Sequence, residues 1–295
     1  MRKFLITMLI LTGPTMFSLR AGVDEVLSFV SEKNVEGYLK PFVTSLGVGL
    51  NSGMYHSAMV PEKLSYGFTL RSMLVLVPED QKTFKPYTPV GYSSESTATV
   101  YGGDPGYIYG DQGYISYPGG FNVDLLALAF PQINLGWKGT ELTAKFTPVL
   151  EIGESKEEFY FYTFALKHEV TRYFNNVPFN GAIQLGFGKI KFSDQLDFGN
   201  MAVNLIASKD FRLSTLYAGL SYQKTEVEAN YSIVGDPENA DPDLRLPKDV
   251  SLTIDGENGF GITAGAALRL GFFVLNADYT FNFQSVITAG MSFQF

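Results

Sequence analysis

The C-terminal part of the chain alternates between apolar residues and small or polar ones. From Ser285 onward one face reads Val286, Thr288, Gly290, Ser292 and Gln294, and the other reads Ile287, Ala289, Met291, Phe293 and Phe295. Residues 272–283 set Phe273, Leu275, Ala277, Tyr279, Phe281 and Phe283 against Asn276, Asp278, Thr280 and Asn282, and residues 260–270 repeat the pattern. Runs of about ten residues with a period of two predict strands whose two faces meet different surroundings. Similar segments fall at 213–233, 196–209, 181–192, 158–170, 140–152, 121–137, 64–77 and 44–55, which with the three C-terminal ones makes eleven.

The chemistry of the polar face separates a soluble sandwich from a membrane barrel. Here it consists of Gly, Ser, Thr, Asn and single charges, while the apolar face is continuous and ends in aromatics. A wall between lipid and a wet lumen needs that pair of faces. The expected fold is therefore an all-β, antiparallel transmembrane β-barrel. Single-chain bacterial barrels have an even strand number, so about 12 strands are expected, within 10–14. The twelfth would come from 90–101 or from a segment cut out of 121–137. Short connections at Lys138–Gly139, Asp210–Phe211 and Gly271 should lie at one end, with the long ones, 79–120 and 234–258, at the other.

Residues 23–42 follow a different period. Val23, Val26, Leu27, Val30, Tyr38, Leu39 and Phe42 recur near 3.6, Asp24 and Glu25 suit a helix start, and Pro41 suits its end. This predicts a short amphipathic helix ahead of the barrel, acting as a plug in the lumen. Before it, residues 1–21 combine Arg2 and Lys3 with the apolar run Phe4–Leu11 and end at Ala21, the pattern of a signal peptide. The expected organisation is a signal peptide at 1–21, a helix or plug at 22–43 and a barrel at 44–295. Export of such a chain leads to the outer membrane of a Gram-negative (diderm) bacterium, with outer-membrane lipid around it. The terminal strand ending in Phe295 resembles the signature by which the barrel-assembly machinery recognises its substrates.

Composition narrows the chemistry. There is no Cys, which removes disulfides, thiol nucleophiles and thiolate metal sites. With 22 basic and 30 acidic residues the formal charge is −8, and no basic stripe exists to meet a nucleic acid. The two histidines do not build a hydrolase. In His56-Ser57-Ala58 an extended chain turns Ser57 away from His56, which is expected at a turn, and His168 has only Lys167 and Glu169 beside it. The acidic loop with Asp236, Glu238, Asp241 and Asp243 lacks calcium-loop spacing and reads as a solvated loop. Neither an enzyme nor a cofactor is expected.

On the polar faces of the strands lie Arg71, Lys145, Lys167, Glu169, Arg269, Asn276 and Asp278, the expected lumen-lining set. Tyr101, Tyr107, Tyr109, Tyr114 and Tyr117 crowd one long loop, which could fold inward as a constriction, bind an apolar or sugar ligand, or stand as a rigid surface loop.

Several stretches resemble a family of uncharacterised outer-membrane barrels known only as a domain of unknown function. They are Gly37-Tyr38-Leu39-Lys40-Pro41, Gly49-Leu50-Asn51-Ser52-Gly53 with Tyr55-His56, Val77-Pro78-Glu79-Asp80 with Thr83-Phe84, Pro131-Gln132, and Gly139-Thr140-Glu141-Leu142. Leu166-Lys167-His168 before Val177-Pro178-Phe179, and Ala277-Asp278-Tyr279, complete the set. The resemblance implies location and architecture. A helix ahead of a barrel is also loosely similar to the fatty-acid and hydrocarbon channels that carry an N-terminal hatch. The expected function is a plugged or narrow passive channel for a small, possibly apolar, solute. The alternative is a closed structural barrel whose outer loops bind a ligand or partner.

Overall fold

A computed structural model describes residues 30–111, 113–152, 157–192 and 196–295. One helix, α1 (Glu32–Asn51), precedes β1 (Ser65–Leu76), the short strands β2 (Thr83–Phe84) and β3 (Thr97–Ala98), and a hairpin of β4 (Gly106–Gly110) and β5 (Gly113–Tyr117). Then come β6 (Leu125–Trp137), β7 (Thr140–Ile152), β8 (Glu157–Glu169), β9 (Asn180–Phe192), β10 (Leu196–Asp210) and β11 (Ser214–Ile233). The chain ends with β12 (Lys248–Asp255), β13 (Phe260–Leu270), β14 (Phe273–Phe281) and β15 (Val286–Gln294).

Ten strands form one closed antiparallel ring in the order β1, β6, β7, β8, β9, β10, β11, β13, β14, β15 and back to β1. Each strand of the ring thus pairs with two neighbours, as backbone in lipid requires, although β6 and β7 pair only from Gln132–Lys145 to Trp137–Thr140. Strand β12 stands outside the ring and pairs with Glu226–Ile233 of β11, beyond Ser214–Tyr222 where β13 pairs. The short connections at 138–139, 211–213 and 271–272 share one end with Ser65 and Phe295, and 77–124 and 234–247 lie at the other, as the parity of the turns predicts.

Three sequence expectations are corrected. Residues 44–55 form no strand, because α1 runs on to Asn51. The run Leu46-Gly47-Val48-Gly49-Leu50 alternates like a strand, but its glycines serve close packing. A Cβ at 47 would meet Thr225 and Asn258, and one at 49 would meet Leu128 and Val75. Pro41 sits inside the helix instead of ending it. Fifteen of the twenty helix residues are buried, and such packing overrides local preference. Nor does a twelfth strand form. Residues 90–101 give only β3, and 121–137 give the single strand β6. The expected signal peptide, 1–21, and the start of the expected helix, 22–29, lie outside the described residues.

The longest strand, β11, shows how the wall is organised. Its first half turns Leu216, Leu220 and Tyr222 outward and Thr215, Ser221, Gln223 and Thr225 inward. From Lys224 onward the faces exchange character. Lys224, Glu226, Glu228 and Asn230 point outward, and Val227, Ala229, Tyr231 and Ile233 point inward. The first half is built for lipid outside and polar contacts inside, the second for water outside and an apolar core inside. Neighbouring strands follow suit: Lys189 and Asp197 pair on the outer surface at that level, at 2.7 Å. Elsewhere the exterior stays apolar along whole strands, as in Phe260, Ile262, Leu268 and Leu270 of the 11-residue β13, a length suited to spanning a bilayer. At the turn end Trp137, Tyr66, Phe272 and Phe295 are exposed, with Tyr66 stacked on Phe295 at 5.5 Å, a placement that suits the membrane interface.

Candidate functional site: a chain segment seated in the barrel

The interior is occupied by the chain's own N-terminal part. Helix α1 starts at the loop end, where the Tyr231 hydroxyl donates to the Val30 carbonyl (3.2 Å), Lys33 pairs with Asp243 (2.8 Å) and Lys248 pairs with Glu32. Asn34 exchanges two hydrogen bonds with the backbone of Tyr87. The helix descends against the apolar half of the wall, packing Val35, Leu39, Val43, Leu46 and Leu50 with Met73, Leu126, Leu128, Phe198, Val227, Val250 and Ile254. This face was legible only in part, since the apolar inner residues of β11 and β12 depart from the polar-inside rule.

Below the helix, residues 52–64 cross the polar half of the barrel and reach β1 at the turn end. Wall side chains hold this link through its backbone. Lys145 donates to the carbonyls of Leu50 (3.2 Å) and Ser52 (2.7 Å), meeting the last carbonyls of the helix, where the helix dipole favours a cation. Lys167 donates to the Ser57 carbonyl (2.9 Å) and pairs with Glu141 (2.9 Å). Glu169 accepts from the Val60 amide (2.8 Å), and the Ser208 hydroxyl accepts from the Ala58 amide (2.9 Å). Asn51 joins Asn200 and Gln223 across the barrel.

A second network runs from His56 to Asp278. The His56 ring lies 3.4 Å from an Arg71 nitrogen through Nδ1 and 3.0 Å from Gln294 through Nε2. Arg71 also donates to Asn276, which donates to the Tyr217 hydroxyl (3.1 Å), which in turn donates to Asp278 (2.8 Å). His56 therefore sits at a bend of the link, inside the barrel. His168 lies at the turn end between the Thr140 hydroxyl (2.8 Å) and the Tyr173 hydroxyl (2.9 Å).

Of the expected lumen set, Arg71, Lys145, Lys167, Glu169, Asn276 and Asp278 are buried inside the barrel. Arg269 is exposed at the turn end, beside a cavity it shares with His56, Lys63, Glu141, Lys167 and Gln294. Gln284 is a contributor that periodicity could not flag, because it lies in a connection between strands. It is fully buried, donates to the Pro41 carbonyl (3.0 Å) and contacts Ser45 and Gln81. Several buried polar atoms keep no partner within the protein: Arg71 Nε, Thr163 Oγ1, Gln184 Nε2, Asn200 Oδ1, Asp278 Oδ1 and Thr288 Oγ1.

The five tyrosines do not share one face. Tyr101 is buried with its ring edge-on to Phe42 of α1 (6.3 Å), and Tyr117 is buried under the β4–β5 hairpin. Tyr107, Tyr109 and Tyr114 project from the opposite face of that hairpin, each at least half exposed. Tyr114 contacts both of the others, with ring centroids at 5.6 and 6.0 Å. In the acidic loop Asp241 accepts from the Asp243 amide (3.0 Å) and Asp236 from the Glu238 amide (3.0 Å). Among the described residues no cluster of three metal-ligating side chains occurs.

No curated protein matches the chain. Among solved structures it is similar to a loop-deletion mutant of OmpT, an outer membrane protein of Vibrio cholerae, at 9% identity and TM-score 0.29, covering 79% of this chain and 99% of that one. It is also similar to Salmonella typhi OmpF in complex with daunomycin, at 11% identity and TM-score 0.20, covering 79% and 97%. The family of unknown function DUF6588 matches residues 1–295. The chain, an outer-membrane-type β-barrel, belongs to that family.

Proposed function

We propose that this protein is a plugged outer-membrane channel, closed at rest, that passes a small apolar solute when α1 and the link to β1 shift within the barrel. Its turn end, with Phe295, would face the periplasm and its loop end the exterior. The observation that carries the reading is the unused hydrogen-bonding capacity of the wall at membrane level. Thr163, Gln184 and Asn200 turn polar atoms inward that the seated segment leaves without partners. A permanently solid interior gains nothing from such a lining, because burying polar groups without partners costs free energy. A passage that admits water once the segment moves does need it. The apolar inner surface around α1 suits a solute that displaces an apolar helix face.

The test is single-channel conductance in a planar bilayer. Intact mature protein should be nearly silent, and a variant lacking residues 22–51 should conduct. A reversible lock gives the second arm. A Cβ on Gly256 would lie 3.4 Å from the Cα of Thr44, close enough for a disulfide after small adjustments, and the chain has no other Cys. Thr44→Cys with Gly256→Cys should abolish residual openings when oxidised and restore them on reduction. A correctly folded deletion variant that stays silent would overturn the channel reading.

A further inference from the structure

At the turn end the link and the ends of six strands, β1, β6, β7, β8, β13 and β15, enclose a cavity of about 270 Å³. Three cations reach it, Lys63, Lys167 and Arg269, against one carboxylate, Glu141. In a chain with a formal charge of −8 this is a local excess of the opposite sign. The protein does not neutralise it. Glu141 already pairs with Lys167 (2.9 Å), and Glu62, the neighbour of Lys63 in sequence, pairs with Arg172. Lys63 and Arg269 are exposed, and neither makes an ion pair among the described residues. The half-buried ring of His56 adds a polar edge, with Gln294 beside it at 3.0 Å.

The donors define what fits. Lys167 is the anchored member: its ammonium is buried and spends two of its three donors on the Ser57 carbonyl and on Glu141, which leaves one. Arg269 brings a planar fork of N–H groups, the arrangement best matched to phosphate oxygens. Lys63 brings a point charge on a flexible stem. With Glu141 set against one of the three cations, two positive charges remain. A phosphate monoester, at about −1.5 to −2 near pH 7, balances them, whereas a single carboxylate balances only one.

We infer that this cavity binds a phosphate monoester, free in solution or on a lipid head group, between the link and the wall. Lys63 and His56 belong to the link, and Lys167 and Arg269 to the wall, so the bound anion ties one to the other. The exposed rings of Tyr66 and Phe295 form part of the lip, which puts a lipid phosphate within reach as well as a soluble one. The inference does not rest on the channel reading, because a barrel that never conducts can still hold an anion here.

The two histidines make the test direct. Intact protein with nitrogen-15 in its histidine rings, held in phosphatidylcholine nanodiscs, is titrated with inorganic phosphate at constant pH and ionic strength. The His56 signal should move saturably. His168, bonded to Thr140 and Tyr173 outside the cavity, should stay in place and serves as the control for folding; His168→Gln assigns the pair. A parallel arm omits inorganic phosphate and adds phosphatidic acid to the nanodiscs. A shift with inorganic phosphate identifies a free source, and a shift with phosphatidic acid alone a lipid one. In the responding arm, Lys63→Ala with Arg269→Ala should raise the concentration at half-saturation at least about tenfold, since each change removes a charged donor. A His56 signal that answers neither probe, or a half-saturation unchanged in the double variant, overturns the site.

Discussion

The ammonium of Lys145, on the barrel wall, donates to the carbonyl of Ser52 at the foot of α1, 2.7 Å away. The wall cation thus serves as the cap that the helix sequence lacks, since its last turn holds no basic residue. Lys145→Met removes both donations and leaves the carbonyls of Leu50 and Ser52 without this partner. The expected loss is about 1–3 kcal/mol, measured as a lower urea midpoint for the protein folded in lipid vesicles. Brief openings should also become more frequent in the bilayer. A midpoint and a silence equal to those of the natural chain would contradict the capping role.

Gly49 faces Leu128 and Val75 so closely that a side chain there makes Leu128 or the helix give way. Gly49→Leu is expected to cost about 1–3 kcal/mol through overpacking. In a chain lacking residues 22–51 the partner change Leu128→Ala should cost less than in the full chain, because the contact is already gone. Equal costs in both backgrounds would show that the helix does not bear on this part of the wall.

The exchange of faces along β11 gives two substitutions with opposite expectations. Leu220→Arg puts a charge on the lipid-facing half and should cost about 2–4 kcal/mol near the bilayer centre. Glu228→Arg, two turns of the pleat beyond that half, should stay within about 0.5 kcal/mol. Folding yield into vesicles of defined lipid, followed by heat-modified gel mobility, reads both. Similar costs would mean that the membrane boundary lies elsewhere.

Lys33 at the mouth of the barrel donates to Asp243, which holds its pKa above the ordinary lysine value. A lysine whose folded pKa is raised contributes its stabilisation fully below the unfolded value, about 10.4, and loses it as pH rises through the folded one. The loop-end docking of α1 should therefore be unaffected by this pair between pH 7 and 9 and should weaken in stronger alkali. Limited proteolysis near Val30 across that range, with Lys33→Met as the comparison, checks it. The variant should look the same at every pH and resemble the natural chain only at the alkaline end.

The strands of the ring were legible because lipid outside and a polar interior impose a period of two on nearly every residue. Where that contrast fails, so did the reading. Leu46-Gly47-Val48-Gly49-Leu50 imitates the period of a strand while packing as a helix buried on all sides. Val227, Ala229 and Tyr231 gave a clean alternation, yet nothing local reveals that their apolar side turns inward. The polar residues Arg71, Lys145 and Asp278 were placed on the correct faces of their strands by alternation alone. What they touch depends on the path of residues 50–60, which no periodicity encodes. Gln284 gave no signal at all, because its role depends on the tertiary position of Pro41.

The internal segment enters from the loop end at Val30 and leaves at the turn end as β1, whose first residues pair with the last of β15. The two ends of the described chain thus lie at opposite mouths, and the segment is threaded through the ring instead of being folded back into it. A ring of this kind cannot be closed first and corked later without pulling a tail through its finished bore. Joining β1 to β15 around a segment already in position avoids that passage.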